Sequence, residues 1–163
     1  MVQHHIPLFF TYHERVFGNG FLADIASRGR ILCATELTAD DQGEREFWVY
    51  GVEPGSLAAS GNDPDEAFKA FRKAFRNALL DLAEEAASFD AFEVAAKEMF
   101  HEINGPRELE WRAAVDAVRD GRIDLDIRRE SAESVCYVKV QAKQLPNFSP
   151  DDNYPTTERA LAA

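Results

Sequence analysis

The stretch from residue 45 to residue 82 constrains the fold more than any other part of the chain. Residues 45–52 are rich in aromatic and β-branched side chains, and they run into the turn Glu53-Pro54-Gly55. Residues 61–66 then open a segment in which phenylalanines recur at positions 68, 71 and 75. Across this stretch the hydrophobic period changes from two, as in a strand, to 3.6, as in a helix. The sequence therefore predicts a strand, a tight turn and a helix in succession.

The start of this helix carries residues that favour a helix N-terminus. Asp63 suits the N-cap, Pro64 the first helical position and Glu66 the third. The apolar residues that follow are three or four positions apart and share one face: Phe68, Phe71, Phe75, Leu79, Leu82 and Ala86. An aromatic stripe with this spacing is far more often core than a cofactor site, so we expect the helix to pack on the sheet.

The strand at 45–52 is apolar on both faces. Phe47 and Val49 point to one side, and Trp48, Tyr50 and Val52 point to the other. A half-exposed antiparallel strand would alternate with polar residues. One face should therefore contact the following helix, while the other needs cover from the N-terminal hairpin, a neighbouring subunit or a bound protein.

Two hairpins are predicted before the helix. Residues 8–17 and 21–26 flank Gly18-Asn19-Gly20, which suits a tight turn. Residues 30–37 and 45–52 form a second pair of strands, joined by the polar turn at 38–43. We therefore expect four antiparallel strands in the N-terminal third of the chain.

Two more helices and two more strands are predicted after the phenylalanine-lined helix. Ser88 can cap a helix that Gly105 ends, and the next runs from about Pro106 to Asp120. The residues that share the apolar face of the first of these are Phe92, Ala96, Met99 and Ile103. Alternation predicts strands at 123–127 and 135–142. The fold class is thus α+β: an antiparallel sheet packed by helices, in one domain at 1–144 with a loose tail at 145–163.

Composition narrows the classes of partner. The net charge of −11 disfavours nucleic acids and anionic membranes and favours basic proteins or cations, unless the acidity serves solubility alone. No apolar run approaches the roughly 20 residues of a membrane span, and the N-terminus does not resemble a secretory signal, so a cytoplasmic location is expected. Cys33 and Cys136 are then expected to be small buried hydrophobes. No cofactor-binding motif is present, so no cofactor is expected.

One acidic pattern favours an alternative, enzymatic function. Asp124 and Asp126 lie two apart on a predicted strand, so their carboxylates share a face and could chelate a divalent cation. Glu130 or Glu133 would complete a trio suited to a metal-dependent nucleic-acid hydrolase with an RNase H-like fold. The same residues also fit a solvated strand face beside basic neighbours, and this is the interpretation we favour.

A basic stripe stands out in the acidic chain. Lys69, Arg72, Lys73 and Arg76 lie on the first helix, away from its phenylalanines. The stripe could contact phosphates or an acidic partner. We favour instead a solvated face paired with nearby acids, such as Asp65 four residues before Lys69.

The unit at 30–82, about a third of the 163 residues, resembles the HicB family of bacterial antitoxins. Residues 45–55, with their Glu-Pro-Gly turn, are similar to the second strand and turn of that family. Residues 60–67, Ser-Gly-Asn-Asp-Pro-Asp-Glu-Ala, are similar to its glycine and helix-start motif. The chain departs from the family at Gly51, where many members have proline, and in its N-terminal hairpin. No DNA-binding helix-turn-helix or ribbon-helix-helix is recognisable after the helix.

The resemblance implies a partial RNase H-like core, about 30–82 plus the strand at 135–142, without catalytic carboxylates. It also implies a non-catalytic role, in which the chain neutralises a small basic ribonuclease toxin of the HicA type, as a monomer or a homodimer. The residues we would place at that interface are Asp40, Asp41, Trp48, Tyr50 and Glu53, although core packing and turn formation also suit them. A standalone dimeric module with Trp48 and Tyr50 between subunits is a further alternative.

Overall fold

A long central strand organises the sheet. The computed structural model describes residues 5–37, 43–123 and 135–145, and these contain five strands in one antiparallel sheet and three helices, which makes the chain an α+β protein. The elements are β1 Ile6–Phe17, β2 Leu22–Leu37, β3 Arg45–Glu53, β4 Ala58–Gly61, α1 Pro64–Glu85, α2 Phe89–His101, α3 Gly105–Arg119 and β5 Tyr137–Lys143.

β2 pairs on both sides. Along one side it pairs with β1, from Ile6 opposite Cys33 to Phe17 opposite Leu22. Along the other side, β5 pairs with the first half of β2 and β3 with the second half, so that these two strands lie end to end. β4 extends the sheet beyond β3.

The prediction of two separate strands at 21–26 and 30–37 is wrong, because both belong to β2. Gly29 between them does not break the strand. A Cβ atom at this position would collide with the carbonyl oxygen of Glu53, so the glycine allows β3 to approach closely beside an irregularity at Arg30 and Ile31. β4, a four-residue strand, follows the Glu-Pro-Gly turn.

The predicted N-terminus of α1 is confirmed. The Asp63 carboxylate accepts a hydrogen bond of 2.8 Å from the Glu66 amide, and Glu66 Oε2 accepts one of 3.0 Å from the Asn62 amide. The buried positions of α1 are Ala67, Phe71, Phe75, Leu79 and Ala83, with Phe68 and Leu82 partly buried at the margins. The predicted stripe therefore packs on the sheet. It does so on the face that carries Val49 and Phe47.

The boundary between α2 and α3 differs from the prediction. Ser88 caps α2 as expected, but the helix ends at His101, so Ile103 is 48% exposed and Phe100 takes its place in the core. Gly105 begins α3 instead of ending α2. The reason is Asn104, whose side-chain oxygen accepts a hydrogen bond of 3.2 Å from the Arg107 amide and so caps α3.

The third helix covers the second face of β3. Leu32, Val52 and Ala114 form a small buried cluster there, and Tyr50 and Trp111 pack against it with partial exposure. α3 therefore covers part of this face from within the chain, a source that the sequence did not suggest, and it leaves Trp48 and Tyr50 partly exposed. The sheet therefore lies between α1 and α2 on one face and α3 on the other.

The C-terminal predictions are only partly covered by the structure. β5 confirms the strand predicted at 135–142, shifted by one or two residues. The strand predicted at 123–127 and nearly all of the tail lie outside the described residues. None of the described helices combines the length and the apolar character that a membrane span requires.

Candidate interaction surface

Trp48 and Tyr50 form a stacked pair on the α3 side of the sheet. They lie two residues apart on β3, so their side chains share a face. Their ring centres are 5.4 Å apart and the ring planes differ by only 7°. Both side chains remain partly exposed.

Carboxylates hold the edges of both rings. The Tyr50 hydroxyl donates a hydrogen bond of 2.6 Å to Glu36 Oε1, and the Trp48 indole nitrogen donates one of 3.1 Å to Glu46 Oε2. Ser60 on β4 donates a hydrogen bond of 2.6 Å to Glu46 Oε1. Burial, followed by the hydrogen bond and charge of Glu36, raises the pKa of Tyr50 to about 12, so the phenol stays a donor at neutral pH.

Arg107, in the first turn of α3, lies over the Tyr50 ring. Its guanidinium carbon is 3.6 Å from the ring centre, and its Nη1 is 2.8 Å from Glu110 Oε2. The ring and the carboxylate together hold the guanidinium in a cation–π contact and an ion pair. We call Glu36, Glu46, Trp48, Tyr50, Ser60 and Arg107 the aromatic surface.

Glu53, which the sequence predicts at a partner interface, lies at the centre of a network of contacts within the chain. It is only 9% exposed. Its Oε2 lies 3.1 Å from Arg30 Nη2, and its Oε1 lies 3.0 Å from Nδ1 of His101 at the end of α2. Arg30 continues the network to Glu108 on α3, at 3.3 Å, and stacks over Trp111. The carboxylate of Glu53 is thus engaged within the chain.

The turn after Glu53 docks on the junction between α2 and α3. The Gly55 amide donates a hydrogen bond of 2.7 Å to the Glu102 carbonyl, and the Asn104 amide donates one of 3.1 Å to the Val52 carbonyl. The Asn104 side chain also donates to the Gly55 carbonyl at 3.2 Å. A Cβ atom at residue 55 would collide with Asn104, so glycine is required for this approach. The turn and the cap of α3 thus fix the start of the helix that carries Arg107.

The basic stripe on α1 divides into two parts. Arg72 donates a hydrogen bond of 3.2 Å to the Thr11 carbonyl on β1 and lies over the Phe10 ring, and Arg76 lies 3.9 Å from Glu14. Lys69 and Lys73 are exposed. Two of the four cations therefore contact β1, and Arg76 pairs there with a nearby acid, Glu14.

Neither cysteine has the character of a nucleophile. Burial raises the pKa of Cys33 to about 12. Burial, followed by the charge of Glu53, raises the pKa of Cys136 to about 11. Both thiols are free and partly buried. Among the described residues, no group of three or more histidines, cysteines or acids is placed to hold a metal ion.

Six of the residues named from the sequence lie outside the described residues: Asp40, Asp41, Asp124, Asp126, Glu130 and Glu133. Sequence reasoning missed Glu36, Glu46, Ser60 and Arg107. Glu46 could have been found, because alternate residues of a strand share a face and Glu46 is two residues before Trp48. Arg107 has no such signal, since it comes from a helix distant in sequence.

Comparison with models of protein families, with curated proteins and with solved structures finds no match to this chain.

Proposed function

We propose that this chain is a non-catalytic protein-binding module that takes a basic protein on its aromatic surface. The observation that carries the proposal is the partly exposed Trp48–Tyr50 stack with the Glu36 and Glu46 carboxylates at its edges. Aromatic side chains of this kind often anchor protein interfaces, since they bury a large apolar area and still offer a polar edge.

The charge of the chain supports a basic partner. A net charge of −11 steers cations toward the protein at long range, and carboxylates beside the rings would receive them at short range. Glu36 and Glu46 are also directly opposite each other on β2 and β3, an arrangement of like charges that a bound cation would relieve.

The finer proposal is that the chain acts as a HicB-type antitoxin. It is supported by the resemblance of residues 30–82 and by the acidic composition. The partner would be a small basic ribonuclease toxin of the HicA type, and the chain would inhibit it by covering the basic surface that binds RNA. Glu53 would then support the interface from beneath, since its carboxylate holds the turn and the helices together.

Co-purification tests the proposal. The chain and the product of the adjacent reading frame are expressed together and analysed by size-exclusion chromatography with light scattering. We expect a small basic protein to co-elute with the chain and to lose ribonuclease activity in the complex. Trp48→Ala should weaken the complex, whereas Phe17→Ala, which removes a 66% exposed ring elsewhere on the sheet, should not.

The same measurement reports on the alternative of a standalone dimeric module. If no basic protein co-elutes and the chain is a dimer that Trp48→Ala dissociates, the aromatic surface joins two copies and the antitoxin proposal fails. If Phe17→Ala weakens the complex as much as Trp48→Ala, the aromatic surface is not the binding site.

A further inference from the structure

The aromatic surface already contains one arginine, and its setting has two parts, a ring and a carboxylate. Arg107 lies with its guanidinium carbon 3.6 Å from the centre of the Tyr50 ring. The Glu110 carboxylate holds it from the side at 2.8 Å. A ring and a carboxylate together therefore position a guanidinium in this molecule, which is the arrangement that arginine recognition generally uses.

Trp48 provides a second aromatic ring and Glu46 provides a carboxylate beside it, but the described residues place no guanidinium over this ring. Among the described residues, no arginine or lysine lies over the indole ring. The Glu46 carboxylate lies at the edge of the indole ring, where it accepts hydrogen bonds from the indole nitrogen and from the Ser60 hydroxyl. Each oxygen of Glu46 accepts one of these hydrogen bonds and keeps a further lone pair for another donor. Indole is also the ring that binds cations best.

The chemistry of this position favours arginine over lysine. A guanidinium is planar, so it can stack flat on the indole and still direct two N–H donors to a carboxylate. An ammonium is a strongly hydrated point charge, so it cannot combine a flat stack on a ring with two parallel N–H bonds to a carboxylate. At the neighbouring ring, the guanidinium carbon of Arg107 already lies 3.6 Å from the centre of Tyr50.

We infer that the partner presents an arginine side chain, which stacks on Trp48 and bonds to Glu46, beside the stack that Arg107 and Tyr50 already form. This inference rests on the proposed function, because it names the group through which a basic protein would be recognised.

Fluorine NMR tests the inference on the full chain. The protein contains two tryptophans, so labelling with 5-fluorotryptophan gives two resonances, and Trp48→Phe assigns the one that belongs to Trp48. The probes are hexa-arginine and hexa-lysine peptides, which carry the same charge. We expect hexa-arginine to shift the Trp48 resonance, to leave that of Trp111 in place and to bind about tenfold more tightly than hexa-lysine.

Two variants locate the contact. Glu46→Gln should weaken hexa-arginine binding about fivefold, because the carboxylate loses its charge while the side chain keeps its shape. Glu93→Gln on α2 changes the net charge equally and should have little effect. An equal loss in both variants would show attraction by overall charge and would overturn the inference.

The outcomes separate this inference from the proposed function. If both peptides bind equally, or if hexa-arginine binds without shifting the Trp48 resonance, the arginine contact is overturned, while a basic protein that co-purifies would still support the proposed function. If neither peptide binds, the arginine contact is also overturned. If hexa-arginine binds as expected but no basic protein co-purifies, the contact stands and the antitoxin proposal fails.

Discussion

The face of the sheet beneath α1 and α2 and the face beneath α3 differ in what holds them together. On the first, the fully buried side chains include four phenylalanines: Phe71, Phe75, Phe92 and Phe100. Phe71 and Phe75 contact aromatic rings of β1, Phe75 also contacts Phe100, and Phe92 contacts Phe21. On the second, the buried cluster contains only Leu32, Val52 and Ala114, and the larger rings are partly exposed. Charged contacts surround that small cluster.

This difference separates apolar packing on one face from directional contacts on the other. Apolar burial is non-directional and contributes most of the free energy of folding, so the face beneath α1 and α2 needs only a tight fit of rings. Hydrogen bonds and ion pairs add less net stability, but they specify geometry. The face beneath α3 is therefore suited to present side chains in defined positions, and the aromatic surface lies on it.

The largest effect is expected from removing a ring on the first face. Phe75→Ala should lower the free energy of unfolding by about 3–5 kcal/mol, because the side chain is fully buried against Tyr12 and Phe10. Trp111→Ala removes a larger but partly exposed ring on the other face and should cost less. Urea denaturation followed by circular dichroism measures both. If both variants lost the same free energy of unfolding, the expected difference between the two faces would be contradicted.

A smaller effect is expected from neutralising the centre of the charged network. Glu53→Gln should lower the free energy of unfolding by about 1.5–3 kcal/mol, since Arg30 and His101 lose a charged hydrogen-bond acceptor that is largely buried. Glu93→Gln, which breaks an exposed pair with Lys97, should cost about 0.5 kcal/mol or less. The same denaturation measurement applies. A Glu53→Gln variant as stable as the wild type would mean that the network adds no net stability.

The pH dependence of stability sharpens the comparison further. Desolvation acts to raise the pKa of Glu108, but the charges and hydrogen bonds of Arg112 and Arg30 outweigh it, and the pKa lies below its usual value of 4.5. A pKa that is lower in the folded state contributes stability above the unfolded value, and this is lost as the pH falls through the folded value. The stability advantage of the wild type over Glu108→Gln should therefore shrink between about pH 5 and pH 3. An advantage that stays constant over this range would contradict the prediction.

The smallest effect is expected at a polar side chain inside the first face. Ser27 on β2 is fully buried, and its hydroxyl has no hydrogen-bond partner within the part of the chain that the structure describes. Ser27→Ala should leave the free energy of unfolding within about 0.5 kcal/mol of the wild type or raise it, since no hydrogen bond is lost. Ser88→Ala is the contrast, because it removes the N-cap of α2 and should cost about 1 kcal/mol. A large loss for Ser27→Ala would reveal a role for its hydroxyl that the contacts do not show.

Most of the secondary structure could be predicted, and the errors have physical causes. The caps of α1 and α2 and the strand β3 depend on residues close together in sequence, so periodicity and capping rules found them. The strands predicted at 21–26 and 30–37 leave a gap that contains Gly29, and in the structure this residue lies within β2. Gly29 allows the carbonyl oxygen of Glu53 to approach closely, and this contact depends on how β3 pairs with β2. Gly105 suggests the end of α2 because glycine is common just after a helix C-terminus, whereas in the structure Asn104 beside it caps α3 and bonds to the docked turn at Gly55.

The candidate site was predicted only in part. Trp48 and Tyr50 were identified because an apolar residue on the second face of a strand needs cover or a partner. The carboxylates beside them depend on the register of β2, β3 and β4, and Arg107 depends on where α3 packs. Neither the register nor the packing is encoded within a short window of residues.

The sequence by itself therefore determined the local elements: the strand at 45–53, the turn at Pro54 and Gly55 and the phenylalanine-lined helix α1. Tertiary structure alone decided that α3 covers the second face of β3, that Arg107 lies over Tyr50 and that Glu53 joins Arg30 to His101. The reason is that backbone preferences and periodicity act between neighbours in the chain, whereas these contacts join distant residues and form only when whole elements pack together.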